Sequence, residues 1–196
     1  MSYYLDGNRF IFNDECPDFK AEEVLSGLGF PADLIEKGDI RDAFEEVKER
    51  IKDIIRMTSG VVYFRMPDNS IPPTPSGTGV AGVILTLGAD VSRQSDEYFA
   101  QGEYTKGMIL NEIADRCLDS YKKIIEDRLR VLSDRKGVGL DVRYEAPETM
   151  PVAELRYVWS ALNAGEKMGV NITRESTLYP VKSACFIMKV KDDTGI

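Results

Sequence analysis

The segment at 80–88, VAGVILTLG, carries no charge and a single hydroxyl over nine residues, and it limits the fold more than any other stretch of the chain. A continuous, β-branched apolar run of strand length reads as a strand buried in a sheet. The elements around it do not alternate β and α regularly. Residues 18–37 hold two brief helical patterns, DFKAEEVLSGLGF and PADLIEKG, with Gly27 or Gly29 stopping the first and Pro31 starting the second. Asp39 then caps a longer helix in which Ile40, Ala43, Phe44, Val47, Ile51, Ile54 and Ile55 follow the 3.6 period, and Gly60 ends it. VVYFRM at 61–66 predicts a strand, and PDNSIPPTPSGTG forms a linker into the apolar run. Residues 90–132 read as two helices broken near Gln101-Gly102. The second carries Met108, Ile109, Ile113, Cys117, Leu118, Tyr121, Ile124, Ile125 and Leu129 in a wide apolar stripe that suits packing on a sheet. A strand at 139–145, a helix at 151–168, and strands at 170–179 and 182–191 complete the pattern. The expectation is an α+β fold with a largely antiparallel sheet to which the last two segments both contribute. Residues 1–60 are read as a helical part of the same domain and residues 61–196 as its α+β core.

Composition narrows function. With 196 residues, 43% hydrophobic and 30% charged, the chain builds a core without disulfides or a structural metal. The net charge of −8 opposes non-specific attraction to nucleic acid or anionic lipid. No histidine is present, which removes Ser-His-Asp and Cys-His nucleophile sites, zincin motifs and the usual transition-metal ligands together. Cys16, Cys117 and Cys185 lie far apart in sequence with no CxxC spacing, arguing against a zinc site or a disulfide framework and for a reducing cytoplasm. The opening lacks a basic and apolar leader pattern, and no stretch has the length of a membrane span, so a cytoplasmic protein is expected.

Individual motifs carry less. Gly77, Gly79 and Gly82 satisfy G-x-G-x-x-G, yet a proline-rich loop precedes them and an apolar strand follows, where a dinucleotide site requires a strand before and a helix after. They read as a loop entering a buried strand. Asp115 and Asp119 share a face of the long helix at i, i+4, with Arg116, Lys122 and Lys123 as available ion-pair partners. Arg143, on a strand leading into a proline-containing loop, has the planar fork that grips a carboxylate. Cys117 and Cys185 sit in apolar surroundings and read as core.

Three blocks acquire meaning together. The first is Ile84-Leu85-Thr86-Leu87-Gly88, followed by the helix from Asp90 and by Gly102-Glu103-Tyr104. The second is Ala114-Asp115-Arg116 with Asp119. The third runs from Gly169-Val170-Asn171-Ile172-Thr173-Arg174-Glu175-Ser176 to Leu178-Tyr179-Pro180 and Lys182-Ser183. In this order and spacing they resemble the activation (reactivation) domain of cobalamin-dependent methionine synthase, and Leu25-Ser26-Gly27-Leu28-Gly29-Phe30 is similar to the opening of its short stand-alone relatives. The resemblance implies an α+β fold with a twisted, largely antiparallel sheet and packed helices. It also implies a role beside a corrinoid protein or corrinoid-dependent methyltransferase. There the family's domain binds S-adenosylmethionine, whose methyl group, with an electron from a reductant, restores methylcobalamin from inert cob(II)alamin. Cobalamin would reach this chain only through such a partner, no catalytic residue or metal ligand is implied, and the absent histidine agrees because the cofactors carry the bond-making. The resemblance places a cofactor site at Arg143, Asp119, Ala146, Pro147 and Tyr179. The family's R-x-x-P-G-Y motif corresponds to Arg143-Tyr144-Glu145-Ala146-Pro147-Glu148-Thr149, which keeps the arginine and a proline and lacks the Gly-Tyr pair, and Asp119 stands where the family has a glutamate. These departures imply weakened S-adenosylmethionine binding. They also keep open a scaffold module of the same fold that docks on a corrinoid protein without it.

Overall fold

The computed structural model describes residues 2–6 as backbone and residues 9–35, 38–67, 79–135 and 137–191 in full. The apolar run forms β4 (Gly79–Thr86), all eight of whose residues are buried. It lies inside a six-stranded sheet with β1 (Ser2–Asp6), β2 (Arg9–Asp14), β3 (Met57–Arg65), β5 (Leu140–Glu145) and β8 (Ser183–Val190), in the order β1-β2-β3-β4-β8-β5. Every pairing is antiparallel. Because β8 pairs with both β4 and β5, those two strands run in the same direction with β8 filling the slot between them.

Complete burial of β4 requires cover on both faces, and side chains alternate across a strand. Ala81, Val83 and Leu85 join one core with α1 (Ala21–Gly27), α2 (Ala32–Ile35), α3 (Gly38–Ile54), α4 (Asp90–Ala100) and α5 (Tyr104–Asp134). Val80 and Ile84 join a second core with α6 (Leu155–Leu162) and α7 (Ala164–Met168). The break at Gln101-Gly102 falls as expected, with Gly102 at a φ of +78°. On α5 the expected stripe is buried at Ile109, Ile113, Cys117, Tyr121, Ile125 and Leu129, whereas Met108 is exposed. No helix among the described residues is long and apolar enough to cross a membrane.

Two glycines make the second core possible. Gly60 and Gly82 sit on the face that receives α6, and a Cβ at Gly82 would stand 2.9 Å from both Phe64 Cε1 and Val158 Cγ1. At Gly60 it would stand 2.6 Å from Met168 Sδ and 3.1 Å from Leu162 Cδ2. Gly60 therefore lies inside β3 to admit α6 and α7, a correction to its reading as the stop of α3, which ends at Ile54. Gly82 lies in the buried strand as read and Gly79, read as the end of the linker, opens that strand, while Gly77, Thr78 and the linker at 68–78 fall outside the described residues.

Other expectations shift. Residues 1–60 contribute strands as well as helices: β1, β2 and the start of β3 belong to the sheet. The expected helix at 151–168 opens as a 3₁₀ turn (Val152–Glu154) and is interrupted at Asn163, whose φ of 53° divides α6 from α7. The segment at 170–179 does not enter the main sheet. It folds back as β6 (Asn171–Ile172) and β7 (Leu178–Tyr179), a separate two-stranded sheet. A turn closed by the Thr173 N–H on the Thr177 carbonyl at 2.9 Å leaves each arm too short to span the domain.

β2 is tied to α5 by a bidentate ion pair: Arg128 donates to both Asp14 carboxylate oxygens at 2.6 and 2.8 Å, with its guanidinium 5.7 Å from the centre of the Phe12 ring. Burial raises the Asp14 pKa, but the hydrogen bond and charge of Arg128 prevail and hold the carboxyl below its ordinary value.

Two outcomes are expected. Gly82→Ala should cost about 1–3 kcal/mol in urea unfolding, because the branched Val158 side chain cannot turn aside. Since the Asp14 pKa is depressed in the folded state, its contribution is present above the unfolded value of about 4 and is lost as pH falls through the folded value. Asp14→Asn should therefore lower stability at neutral pH and flatten its acid dependence below about pH 4, measured as unfolding midpoints against pH.

Candidate functional site

α5 is the element that organises the site. Between residues 115 and 130, its flank beside the β5–β8 edge of the sheet presents Asp115, Asp119, Lys122, Glu126 and Arg130 at helical spacing. Period-two alternation on β5 puts Arg143 and Glu145 on one side of the strand, and both make ion pairs with α5. Lys122 donates to Glu145 at 2.6 Å and to Asp119 at 3.2 Å. Arg143 reaches Glu126 at 3.4 Å and Glu145 at 3.5 Å, and its guanidinium lies 5.6 Å from the centre of the Phe186 ring. Arg130 bonds Glu126 at 2.8 Å and the carbonyls of Leu140 and Asp141 at 3.4 and 3.3 Å. Lys182 closes the row on Asp115 at 2.6 Å.

This belt ends at a cleft of about 350 Å³. Leu118 and Lys122 form its α5 wall, Glu145, Ala146 and Pro147 its β5 wall, and Val152 and Leu155 its side toward α6; Ser176, Thr177, Leu178 and Val181 meet the first residues of β8 opposite. The β5 wall is fixed by a turn in which Thr149 Oγ1 accepts from the Glu145 N–H at 2.8 Å and the Met150 N–H donates to the Glu145 carbonyl at 3.1 Å. Opposite, Ser176 has a φ of 62°, and Arg156 donates to its hydroxyl at 3.5 Å. Ser183 is anchored to Thr86 through a hydroxyl pair at 2.8 Å. Cys185, at the cleft floor, is a buried thiol whose pKa is pushed up by burial and then by the negative charge of Glu145.

The expected site residues divide accordingly. Ala146 and Pro147 line the cleft. Arg143 does not, but it contacts Glu145, which does. Asp119 is exposed, with 72% of its side chain open, and meets the lining through its ion pair with Lys122. Tyr179 is also exposed and lies between the lining residues Leu178 and Val181 without itself lining the cleft. Sequence reasoning missed Lys122 and Glu145 as site residues. Glu145, two residues after Arg143, carried the signal, since strand periodicity sends both to one face. Lys122 stood out only as an ion-pair partner for Asp119. Thr177 and Val181, which flank β7 and line the cleft, had no such signal.

Chemically, the cleft joins a short apolar trough to a doubly occupied ammonium and a carboxylate. Burial lowers the Lys122 pKa, but its bonds to Glu145 and Asp119 prevail and leave it above the ordinary lysine value. A zwitterionic or hydroxyl-bearing small molecule could exchange with these partners without leaving a charge buried alone.

No protein-family model matches the chain, and no curated sequence matches it. Among solved structures, the crystal structure of the MetH reactivation domain bound to AdoHcy matches 95% of this chain and 80% of that chain, with a TM-score of 0.64 and 12% identity. At this identity the likeness is one of fold. The chain has the α+β architecture of a methionine synthase activation domain, the fold that the three sequence blocks imply.

The pair at the head of the cleft is testable. Lys122→Met should cost about 1–3 kcal/mol, because it leaves the Glu145 carboxylate mostly buried with Arg143 as its remaining cation. The double variant Lys122→Met/Glu145→Gln should recover part of that loss in urea unfolding, a non-additivity that reports direct coupling.

Proposed function

We propose that the protein is an accessory component of a corrinoid methyltransferase system, with S-adenosylmethionine or its demethylated product held in the cleft between β5, α5 and the segment at 176–181. The observation that carries this reading is the coincidence of two things. One is a fold shared with a domain described as bound to AdoHcy. The other is a cleft lined by Ala146 and Pro147 and reached by Arg143 through Glu145.

The lining fits such a ligand in kind. Leu118, Val152, Leu155 and Val181 offer apolar surface for a planar base, and Ser176, Thr177 and Glu145 offer partners for ribose hydroxyls. Arg143 would take the ligand carboxylate by giving up Glu145, and Glu145 or Asp119 would then accept from the ligand ammonium. S-adenosylmethionine would supply an electrophilic methyl group, and the docked partner would supply the corrinoid. The chain itself binds, orients and keeps water from the trough. The volume of about 350 Å³ is at the small end of ligand pockets. The motif lacks Gly-Tyr, and each cation of the belt is already paired, so weak binding is expected.

Those same features favour a second reading, a scaffold of this fold that docks on a corrinoid protein without S-adenosylmethionine. Calorimetry separates the two. The first reading expects weak S-adenosylmethionine binding that Arg143→Ala reduces about tenfold or more. Tight binding untouched by Arg143→Ala would place the site elsewhere. Absence of binding leaves the scaffold reading, which a pull-down with a co-encoded corrinoid protein tests with oxidised and reduced cofactor; no complex in either state would overturn both readings and leave only a shared fold.

A further inference from the structure

Cys16 and Cys117 are 101 residues apart in sequence, yet their sulfur atoms stand 3.3 Å apart. Sequence spacing argues against any pairing, and the fold brings the two together. Cys16 lies between β2 and α1, in the segment at 15–20 that belongs to neither helix nor strand, and it is half-buried. Its side chain lines two surface clefts, one of about 670 Å³ shared with Lys52 and Arg56 and one of about 350 Å³ shared with Lys48 and Lys52. Cys117 is fully buried on α5, with Met57 Sδ 3.6 Å from its sulfur. Cys185 belongs to the other core, on the opposite face of the sheet, and has no thiol neighbour among the described residues.

We propose that Cys16 and Cys117 are a peroxide-responsive thiol pair: Cys16 is the residue oxidised and Cys117 the one that resolves it into a disulfide. The division of labour follows from access and from acidity. Cys16 alone of the two meets solvent. Its hydrogen bond with Cys117 outweighs burial and the nearby Asp18 charge and lowers its pKa, while the same contact and burial push the Cys117 thiol up. A hydroperoxide reaching the cleft is attacked by the Cys16 sulfur; the O–O bond breaks, giving a sulfenic acid at Cys16 and one water (or alcohol). The Cys117 sulfur then displaces the sulfenic hydroxyl, which leaves as a second water with the Cys117 proton. Overall, two thiols lose two electrons and two protons, and the hydroperoxide gains them. Closing from contact to a bond of about 2.05 Å requires roughly 1.3 Å of approach, which the irregular segment at 15–20 can supply without moving α5.

The reaction joins the chain across 101 positions. Long loops give the largest restriction of the unfolded ensemble, so the oxidised protein should melt about 5–15 °C above the reduced one. The test treats the purified full chain with a modest excess of hydrogen peroxide, alkylates what remains, and maps peptides without reduction. The expected result is a Cys16–Cys117 linked peptide, alkylated Cys185, and a melting shift reversed by dithiothreitol. Cys16→Ser, at a half-buried loop position, should fold normally by circular dichroism and show neither the link nor the shift. Peroxide that drives Cys16 to sulfinic or sulfonic acid while Cys117 remains alkylatable would overturn the proposal. So would a link through Cys185, or a melting shift that persists in Cys16→Ser.

Discussion

Everything in this molecule rests on burying one strand from both sides. β4 has no face left for water, so the sheet requires a helical layer on each side, and the two layers are not alike. The larger one contains α1 to α5 and most of the core. The smaller is little more than α6 and α7, and so short a helix can seal a sheet only by lying very close to it. Gly60 and Gly82 permit that approach, because Val158 and Leu162 occupy the space their side chains would take. A helix held that close also fixes the course of the chain after it. The segment at 176–181 and the entry to β8 meet the end of β5, and the cleft exists because these pieces meet there.

The electrostatics obey the same geometry. The flank of α5 and the α5-facing side of β5 carry four acids, Asp115, Asp119, Glu126 and Glu145, matched by Lys122, Arg130, Arg143 and Lys182. A belt balanced in this way orients α5 on the sheet edge and keeps any one charge from dominating. Under the proposed function, a charged ligand would enter by substitution for an existing partner. A belt paired in this way would favour discrimination between ligands over raw affinity.

Legibility in the sequence tracked how local each determinant was. The buried run at 80–88, the two helices of 90–132 and their break at Gln101-Gly102 were readable because composition and period state them within a few residues. The β1–β2 pair was overlooked although the alternating aromatics around Asp6-Gly7 have a hairpin pattern, and Gly60 was misread because its role depends on Met168, more than a hundred residues away. At the cleft, Ala146 and Pro147, expected from the motif, are lining residues, whereas Lys122 and Glu145 join them only when α5 is laid against β5. Contacts between distant segments, including the meeting of Cys16 and Cys117, have no local signature.

The position of β8 has a further consequence. β4 and β5 run in the same direction one strand apart, and the strand that joins them is the last of the described elements. On a ribosome, the chain up to Glu145 would emerge with the wholly apolar β4 as an unsatisfied sheet edge and with β5, which pairs only with β8, lacking a partner. The domain cannot close progressively from its beginning. It must hold an open seam until residues 183–190 have been made, and during that interval protection against aggregation falls to other chains or to the speed of synthesis.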